Sequence, residues 1–530
     1  MNTHLIMINA RVLKAALHDG AEIALLDARE EVPYDARHLL MASCVPLSRL
    51  ELIVDAGVPH RDTRVVWCDD GEGLAQRAAT RMLALGYSNV SVLEGGVAAW
   101  EAAGFRTYSG VHVPSKAFAE VVEHDTGTPW ITAEQLKQLI DSKADIALFD
   151  SRSFEEFHAN SIPTAISVPG AELVYRFADM VPSPNTMVVV NCGGRTRSII
   201  GAQSLINAGV PNKVVSLKNG TQAWHLAGYQ VLKGVGAQAP AVTPVGHAAA
   251  RAAADRVAQR FGIKRIDEAS LSQWQTDRGK TTYVFDVRSP DEYRAGHVPN
   301  MKNVPGGQLI QETDRHAMVW GARVVLVDDD GVRAVMTAHW MKQMGWEAYA
   351  LTLDLRGRST QQGTWTPRVL GLDGLNVPLI NVAALHERVK AGNTNVVDVD
   401  WSRDYLDGHI PGAWYGVRSR VNEFLPQLPA KECIVFTSRE GSLAKLAAMD
   451  AKAVVPMFAL DGGTAAWRAA GHRLEQGATH MATEPDDIRL KAREQSKDIE
   501  AAMHAYLSWE IELVNQMAVD DDQRFQVMCK

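Results

Sequence analysis

Thr186-Met-Val-Val-Val-Asn-Cys-Gly-Gly-Arg-Thr-Arg-Ser198 joins a short, apolar, β-branched run to a loop rich in glycine and arginine. Such a run is typical of a strand that is buried on both faces of a parallel sheet. After the loop, apolar residues recur at helical spacing as far as Gly209, which suits a helix C-cap. The pattern therefore predicts an α/β fold in which Cys192 lies between a strand end and a helix start.

The residues of this loop predict a reactive thiol at Cys192. Ligands of open α/β sheets bind at such strand ends, where the free N–H groups of a helix's first turn favour an anion. We expect Gly193 and Gly194 to let the backbone curl so that N–H groups point inward, while Arg195 and Arg197 add positive charge. Together these features should lower the pKa of the thiol from about 8.5 to roughly 3.5–7.5. A buried structural cysteine is the alternative, because free cysteine is among the most buried residue types.

Two motifs recur along the chain at intervals of whole domains. A strand ends in an Asp-x-Arg type motif at Asp27-Ala28-Arg29, Asp150-Ser151-Arg152, Asp286-Val287-Arg288 and, degraded, Asp398-Val399-Asp400. A Gly-Gly-x-x-x-Trp type motif follows at Gly95-Gly96 with Trp100, Asn219-Gly220 with Trp224, and Gly462-Gly463 with Trp467. In the third repeat Leu353-Asp354-Leu355-Arg356-Gly357 replaces this closing motif.

With these motifs the chain resembles a tandem array of rhodanese domains from about residue 5 to residue 475. In that family a six-residue loop that opens with cysteine cradles a persulfide, and residues 192–197 are similar to it in length and character. The resemblance implies four domains, each a parallel sheet flanked by helices, and a C-terminal helical tail. The predicted domains are 1–110, 125–235, 263–370 and 373–478, with a linker and helix at 236–262 and the tail at 480–530.

The loops of the other three repeats predict that these repeats are catalytically inactive. In repeat one, Cys68 stands where a nucleophile would, but its loop has three carboxylates and no arginine. Counted from the cysteine to the glycine that ends the next helix, this repeat is one residue longer than repeat two. In repeat three, Asp328 or Val327 takes the cysteine position. In repeat four, the loop from residue 437 to 442 has no sulfur, and Cys433 lies at the far end of the preceding strand.

The resemblance implies a sulfurtransferase that works by double displacement. The Cys192 thiolate takes the outer sulfur of an anionic donor, with thiosulfate favoured, and passes it from a persulfide to cyanide or a thiol. Ser198 can cap the next helix and donate its hydroxyl to the site. The predicted substrate-binding residues are Gly193, Gly194, Arg195, Thr196, Arg197, Ser198 and Arg176. A surface salt bridge is an equal alternative for Arg176, and an ion pair that braces the fold is expected for Asp150 with Arg152.

Three other functions stay open at this point. One is a 3-mercaptopyruvate sulfurtransferase. Another is a sulfur relay or scaffold protein in which three silent domains recognise a partner. The third is a cysteine-dependent phosphatase or arsenate reductase, which needs a longer loop and an arginine at the loop end.

The net charge, the hydropathy and the cysteines of the chain limit its predicted location and partners. A net charge of -8 with mixed signs gives no reason to expect nucleic acid binding. The start lacks the features of a signal peptide, no run reaches 18 apolar residues, and the five scattered cysteines favour a reducing compartment. We therefore predict a cytoplasmic enzyme without metal or cofactor, with no nucleic acid or membrane partner, and compatible with a homodimer. Cys44 is expected in or near the core, and Cys529 in a mobile tail.

Two further predictions concern packing. In two-domain rhodaneses an inactive half forms a wall of the active site. This implies that repeat one shapes the cleft over Cys192, and that repeats three and four repeat the pairing or build a dimer. Residues 484–517 have helical propensity almost throughout, and we expect a helix that packs on the array or at a dimer interface.

Overall fold

The structure, a computed structural model, describes residues 5–356, 358, 360–494 and 498–529. The predicted ranges 1–110 and 480–530 therefore lie partly outside the described residues, as does Gly357 of the replaced closing motif. Two compact units are present. One contains Met1–Leu13, Ala24–Val111 and Pro367–Arg489, and the other contains Lys14–Ile23, His112–Thr366 and Leu490–Lys530. Repeat four and most of repeat one thus belong to one unit, and repeat two, nearly all of repeat three and most of the tail belong to the other.

Repeat one is a parallel sheet flanked by helices. Its elements are β1 (Ile6–Ile8), α1 (Ala10–His18), β2 (Ile23–Asp27), α2 (Glu31–Ala36), β3 (Ser43–Cys44), α3 (Leu50–Gly57), β4 (Val65–Cys68), α4 (Leu74–Ala84), β5 (Val90–Leu93) and α5 (Gly96–Ala102). The strands pair in the order β1-β5-β4-β2-β3.

Repeat two has the same plan and follows α6 (Val113–Thr126). Its elements are β6 (Trp130–Ile131), α7 (Ala133–Asp141), β7 (Ile146–Asp150), α8 (Phe154–Ala159), β8 (Ile166–Ser167), α9 (Glu172–Met180), β9 (Met187–Asn191), α10 (Thr196–Asn207), β10 (Val214–Leu217) and α11 (Gly220–Leu226). The parallel strands pair in the order β6-β10-β9-β7-β8. The helix predicted after the linker is α12 (Pro244–Phe261), capped by the Thr243 side chain.

Repeat three keeps this topology. It comprises β11 (Lys264–Arg265), α13 (Glu268–Thr276), β12 (Thr282–Asp286), α14 (Pro290–Ala295), β13 (Lys302–Asn303), α15 (Gly306–Gln311), α16 (Thr313–His316), β14 (Val319–Trp320), β15 (Arg323–Asp328), α17 (Arg333–Gln343) and β16 (Glu347–Thr352). Its sheet has the order β11-β16-β15-β12-β13.

Repeat four completes the series, and a long helix follows it. The elements are β17 (Leu379–Ile380), α18 (Val382–Ala391), β18 (Thr394–Asp398), α19 (Ser402–Asp407), β19 (Trp414–Tyr415), α20 (Val421–Phe424), β20 (Cys433–Thr437), α21 (Ser442–Asp450), β21 (Met457–Leu460), α22 (Gly463–Ala469) and α23 (Ile499–Met517) of the tail. The sheet order is β17-β21-β20-β18-β19. The predicted fold class is therefore confirmed, whereas the exact domain boundaries stay predictions.

The pairing register aligns the four loops with one another. The Asp that ends the first long strand of each repeat pairs with Cys68, Asn191, Val327 or Thr437 of the central strand. The next residue is therefore equivalent in all four repeats, and these residues are Asp69, Cys192, Asp328 and Ser438. A shared contact supports this alignment, because three of them accept a hydrogen bond from the backbone N–H six residues later. In repeat two the residue six positions after Cys192 is Ser198, which contacts the Cys192 sulfur.

Candidate active site

Cys192 lies immediately after the buried strand β9, at the carboxyl edge of its sheet. Helix α10 begins at Thr196 with Arg195 as its N-cap, so Ser198 lies inside the first turn and the prediction that it caps the helix is wrong. The Thr221 N–H and hydroxyl both donate to the Cys192 carbonyl oxygen, at 2.8 and 3.0 Å. The start of α11 therefore fixes the backbone of Cys192.

Gly220 shows why the closing motif needs glycine. Its φ is +54°, and a Cβ at this position would lie 2.3 Å from the Cys192 carbonyl oxygen. Gly96 and Gly463 have the same conformation, and their added Cβ atoms would lie 2.2 and 2.0 Å from the carbonyl oxygens of Asp69 and Ser438. The motif thus allows α11 and its counterparts to approach the loop closely.

The thiol of Cys192 is buried, with 2% of the residue exposed. Its sulfur lies 3.5 Å from the Ser198 hydroxyl, which itself donates to the Arg195 carbonyl at 2.8 Å. Burial raises the pKa of the thiol, although Arg197 and the bonds with Ser198 act in the opposite direction. The prediction of a lowered pKa is therefore wrong, because the loss of solvation disfavours the thiolate more than the nearby positive charge favours it.

The charge of Arg195 is neutralised by helix α6. Its Nε and Nη2 donate to the two carboxylate oxygens of Glu120 at 2.6 and 2.7 Å, and Nη2 also contacts Glu123. Burial raises the pKa of Glu120 to about 7, although Arg195 lowers it. Arg195 therefore anchors the loop to α6, and it does not act on the thiol as predicted.

Arg197 acts on the thiol and also binds the neighbouring repeat. It lowers the pKa of Cys192, while its Nη1 donates to Glu156 at 2.6 Å and to Gln308 of repeat three at 2.9 Å. Burial raises the pKa of Glu156, but Arg197, Lys491 and Arg152 together bring it below the usual value. Lys491 of the tail also donates to Glu156, at 3.2 Å.

Neither of the two loop glycines adopts a positive φ, and Gly194 also has a role in packing. A Cβ on Gly194 would lie 3.2 Å from Tyr506 and 3.3 Å from Glu510 of α23. The Thr196 hydroxyl donates to Glu510 at 2.6 Å. The absence of a side chain at Gly194 thus lets the tail helix pack on the loop. Among the described residues, the N–H groups of 193–195 have no backbone acceptor and remain available to an anion.

Arg176 is not brought to the loop. Its Nε donates to Glu172 at 2.7 Å, and its Nη1 donates to the Pro240 carbonyl at 2.7 Å. The salt bridge that was the alternative for Arg176 is therefore the arrangement observed. The predicted Asp150–Arg152 ion pair is present and buried, with an Nη2–Oδ2 distance of 2.6 Å.

The register corrects the prediction for Cys68. This cysteine pairs with Asp27 within the sheet, and Asp69 occupies the position of Cys192. Asp69 and Cys192 precede the glycine that ends the next helix by the same number of residues, so the loop of repeat one is not longer. Cys68 is buried, and burial raises the pKa of its thiol well above the usual value.

The remaining cysteines lie apart from the four loop positions. Cys433 is buried at the start of β20, Cys44 is half-buried at the end of β3, and Cys529 is exposed. Of the candidates for the nucleophile position in repeat three, the register selects Asp328 and excludes Val327. Repeats one, three and four thus have a carboxylate or a hydroxyl where repeat two has a thiol.

Repeat three supplies a neighbouring wall in the unit that contains Cys192, and the role of repeat one at this cleft stays a prediction. Arg333 is equivalent to Arg197, and the two arginines make reciprocal contacts. Arg197 donates to Gln308 of repeat three, and Arg333 donates to Glu172 of repeat two at 2.8 Å. Each loop therefore receives a side chain from the other repeat at the same place.

The tail adds a cation that sequence reasoning missed. Arg493 is half-buried, and among the described residues no carboxylate lies within 4.0 Å of it. Burial and the nearby Arg152 lower the pKa of its guanidinium, and Arg197 acts in the same direction. Three arginines therefore lie near one another beside the loop. The residues missed here, from α6, repeat three and the tail, carry no motif that would have identified them.

Comparison with known proteins agrees with this architecture. A family model described as "Rhodanese-like domain" matches residues 9–103, 132–227, 268–356 and 381–470. The crystal structure of a thiosulfate sulfurtransferase from Pseudomonas aeruginosa is 44% identical, covers 99% of this chain and 100% of its own, and has a TM-score of 0.96. The Alr3790 protein from Anabaena sp. is 26% identical and covers 21% of this chain and 86% of its own, with a TM-score of 0.19.

A curated relative is also similar. "Putative sulfur carrier protein YrkF" of Bacillus subtilis (strain 168) is 26% identical over 102 residues, which are 19% of this chain and 54% of that protein. This chain thus spans about half the length of that relative. In the described part of the chain, no helix is both long and apolar enough to cross a membrane.

Proposed function

Since the chain belongs to the rhodanese family and is a sulfurtransferase of the thiosulfate sulfurtransferase type, we propose that Cys192 carries the transferred sulfur. The Cys192 thiolate attacks the outer sulfur of thiosulfate, the S–S bond of the donor breaks, and sulfite leaves with the electron pair. The resulting persulfide then gives its outer sulfur to a thiol or to cyanide, and the thiolate returns.

One observation carries this proposal. The register places Asp69, Cys192, Asp328 and Ser438 at the same point of four equivalent loops, and among them Cys192 has the sulfur that a persulfide needs. A carboxylate or a hydroxyl at this point forms no persulfide. The domain of repeat two is therefore the site of chemistry in the proposal.

The surroundings of the loop support an anionic donor. The N–H groups of 193–195 and the first turn of α10 offer hydrogen bonds to an anion. Arg197 and Arg493 add positive charge, and Arg493 has no carboxylate partner among the described residues. Arg195 is bound to Glu120 and Glu123, so we assign it to holding the loop. Because thiosulfate carries two negative charges and 3-mercaptopyruvate carries one, these features favour thiosulfate as the donor.

A donor panel tests the proposal. Thiosulfate, 3-mercaptopyruvate and glutathione persulfide are each offered at one cyanide concentration, and thiocyanate is measured. We expect the highest kcat/KM with thiosulfate, and a gain of about 32 Da on Cys192 when thiosulfate is given alone. The C192S variant should lose transfer, whereas C68S should keep it. Transfer by C192S, or a sulfur adduct on another cysteine, would refute the assignment.

We further propose a cytoplasmic location and a small anionic donor with a thiol or cyanide acceptor as the partners of this enzyme. The five cysteines are free, as in a reducing compartment. A homodimer stays a prediction, which sedimentation of the full chain can test.

A further inference from the structure

Glu510 of α23 is a buried acid that contacts the loop of Cys192. It is 0% exposed, and its Oε1 accepts the Thr196 hydroxyl. Its Oε2 is also buried and has no hydrogen-bond partner among the described residues. This oxygen faces Gly194, where it lies 3.3 Å from the place of an added Cβ. An unsatisfied buried polar group costs about 1–3 kcal/mol, and more when it is charged, so its retention calls for an explanation.

The groups around Glu510 belong to the loop and to α6. Its charge acts on the Cys192 thiol, on Arg195 and on Glu120. Lys116 of α6 is buried and lies 5.0 Å from the centre of the Trp509 ring on α23. Arg195 donates hydrogen bonds to Glu120. Among the described residues, it makes none to Oε2 of Glu510. Glu510 thus places a carboxylate oxygen without a hydrogen-bond partner, among the described residues, against the loop that contains Cys192.

We propose that Glu510 is the base that takes the proton of a neutral thiol acceptor in the second half of the reaction. The inference rests on the proposed role of Cys192. The S–H bond of the acceptor breaks, and its proton goes to Oε2 of Glu510. The acceptor sulfur forms a bond with the outer sulfur of the persulfide, and the bond between the two persulfide sulfurs breaks. The electron pair stays on Sγ of Cys192, which then receives the proton from Glu510.

The same carboxylate defines the class of acceptor. A neutral thiol provides the proton that Oε2 can accept, whereas the sulfite dianion has no proton to give. Glu510 therefore serves the reaction with a small uncharged thiol, and it is not needed for sulfite.

The test measures the second half of the reaction alone. The full-length enzyme is loaded with thiosulfate, and the remaining donor is removed. An acceptor is then added, and the loss of persulfide is followed. The two acceptors are 2-mercaptoethanol and sulfite, and sulfite at pH 8.5 reacts without giving up a proton. We expect E510Q to slow the reaction with 2-mercaptoethanol at neutral pH by about 100-fold or more. With sulfite, E510Q should react as fast as the wild type or faster. The E512Q variant is the control, because Glu512 is exposed on the same helix.

A second readout separates a lost base from a disturbed loop. As the pH rises through the acceptor's own pKa, the acceptor ionises in solution, and the rate of E510Q should approach that of the wild type. An equal loss with both acceptors, or a loss that persists when the thiol is ionised, would overturn the proposal. So would an unchanged rate with 2-mercaptoethanol at neutral pH. If the wild-type enzyme forms no persulfide on Cys192, the proposed function fails first, and this outcome is seen at the loading step.

Discussion

Replacing Gly220 with alanine should inactivate the enzyme by displacing the loop that carries the sulfur. The positive φ of this residue costs an alanine about 1–2 kcal/mol. The added Cβ would also lie 2.3 Å from the Cys192 carbonyl oxygen and 2.7 Å from the Gly194 carbonyl oxygen. Both contacts are to backbone atoms, so the loop or α11 must move by about 1 Å, and such a misplacement can cost about 100-fold in rate.

Two control variants separate the displacement from its other consequences. Gly228 also has a positive φ, of +75°, but an added Cβ there meets nothing within 4 Å. The G228A variant should lose stability without losing activity. Gly463 would bring the same clash to the loop of repeat four, where an added Cβ lies 2.0 Å from the Ser438 carbonyl oxygen. The G463A variant should therefore lose stability and keep the activity of repeat two.

The assay is the thiosulfate:cyanide reaction under conditions where each variant is folded, with thermal unfolding measured in parallel. We expect G220A to lose at least about 100-fold in kcat/KM, while G228A and G463A stay within a few fold of the wild type. A G220A variant with normal activity would refute the view that close approach of α11 sets the position of Cys192. Equal losses in G220A and G463A would show that general destabilisation explains the effect.

Two other changes test the electrostatics of the chain. Burial raises the pKa of Cys192 and Arg197 lowers it, so R197Q should move the pH dependence of Cys192 alkylation to higher pH. R195Q should move it little. Equal shifts in both variants would contradict the neutralisation of Arg195. Burial raises the pKa of Asp398 to about 7 from 3.8, so the folded state holds this proton more tightly and stability falls as the pH rises between these values. D398N should remove this loss, so its free energy of unfolding in urea should exceed that of the wild type by up to about 4 kcal/mol at pH 8 and by little at pH 4. An equal difference at both pH values would contradict this assignment.

The parts of the fold that depend on local sequence could be predicted. The β-branched run before Cys192 and the glycine after the next helix gave the strand, the loop and the helix within a few residues. The repeated motifs indicated four domains of one plan, and the structure has four sheets of that plan.

The register of a parallel sheet could not be read from one strand. The run Val65-Val66-Trp67 suggested that the strand ends before Cys68, yet Cys68 is its last paired residue. The partner strand fixes this pairing, and the partner is about 40 residues away in sequence. For this reason the sequence predicts a loop position for Cys68, and it does not indicate that Asp69 is the equivalent of Cys192.

The electrostatics of the site depend on residues that are distant in sequence. Glu120 binds Arg195 from 75 positions earlier, and Glu510 binds Thr196 from 314 positions later. The loop sequence itself contains the arginines and none of these acids. A count of its charges also takes no account of burial, which is the main cause of the raised pKa of the thiol, and so it gives the wrong direction for this pKa.

The packing of α6, repeat three and the tail around one loop bears on why the chain extends beyond the repeat that contains Cys192. A fragment that contained residues 125–235 alone would lack the acids that bind Arg195, the Gln308 amide that binds Arg197 and the carboxylate that binds Thr196. Trimming this protein to its sulfur-bearing repeat would thus expose polar groups that need partners. A fragment that keeps the loop intact must therefore include those partners, and repeat three is one of them although it has an aspartate in place of the thiol.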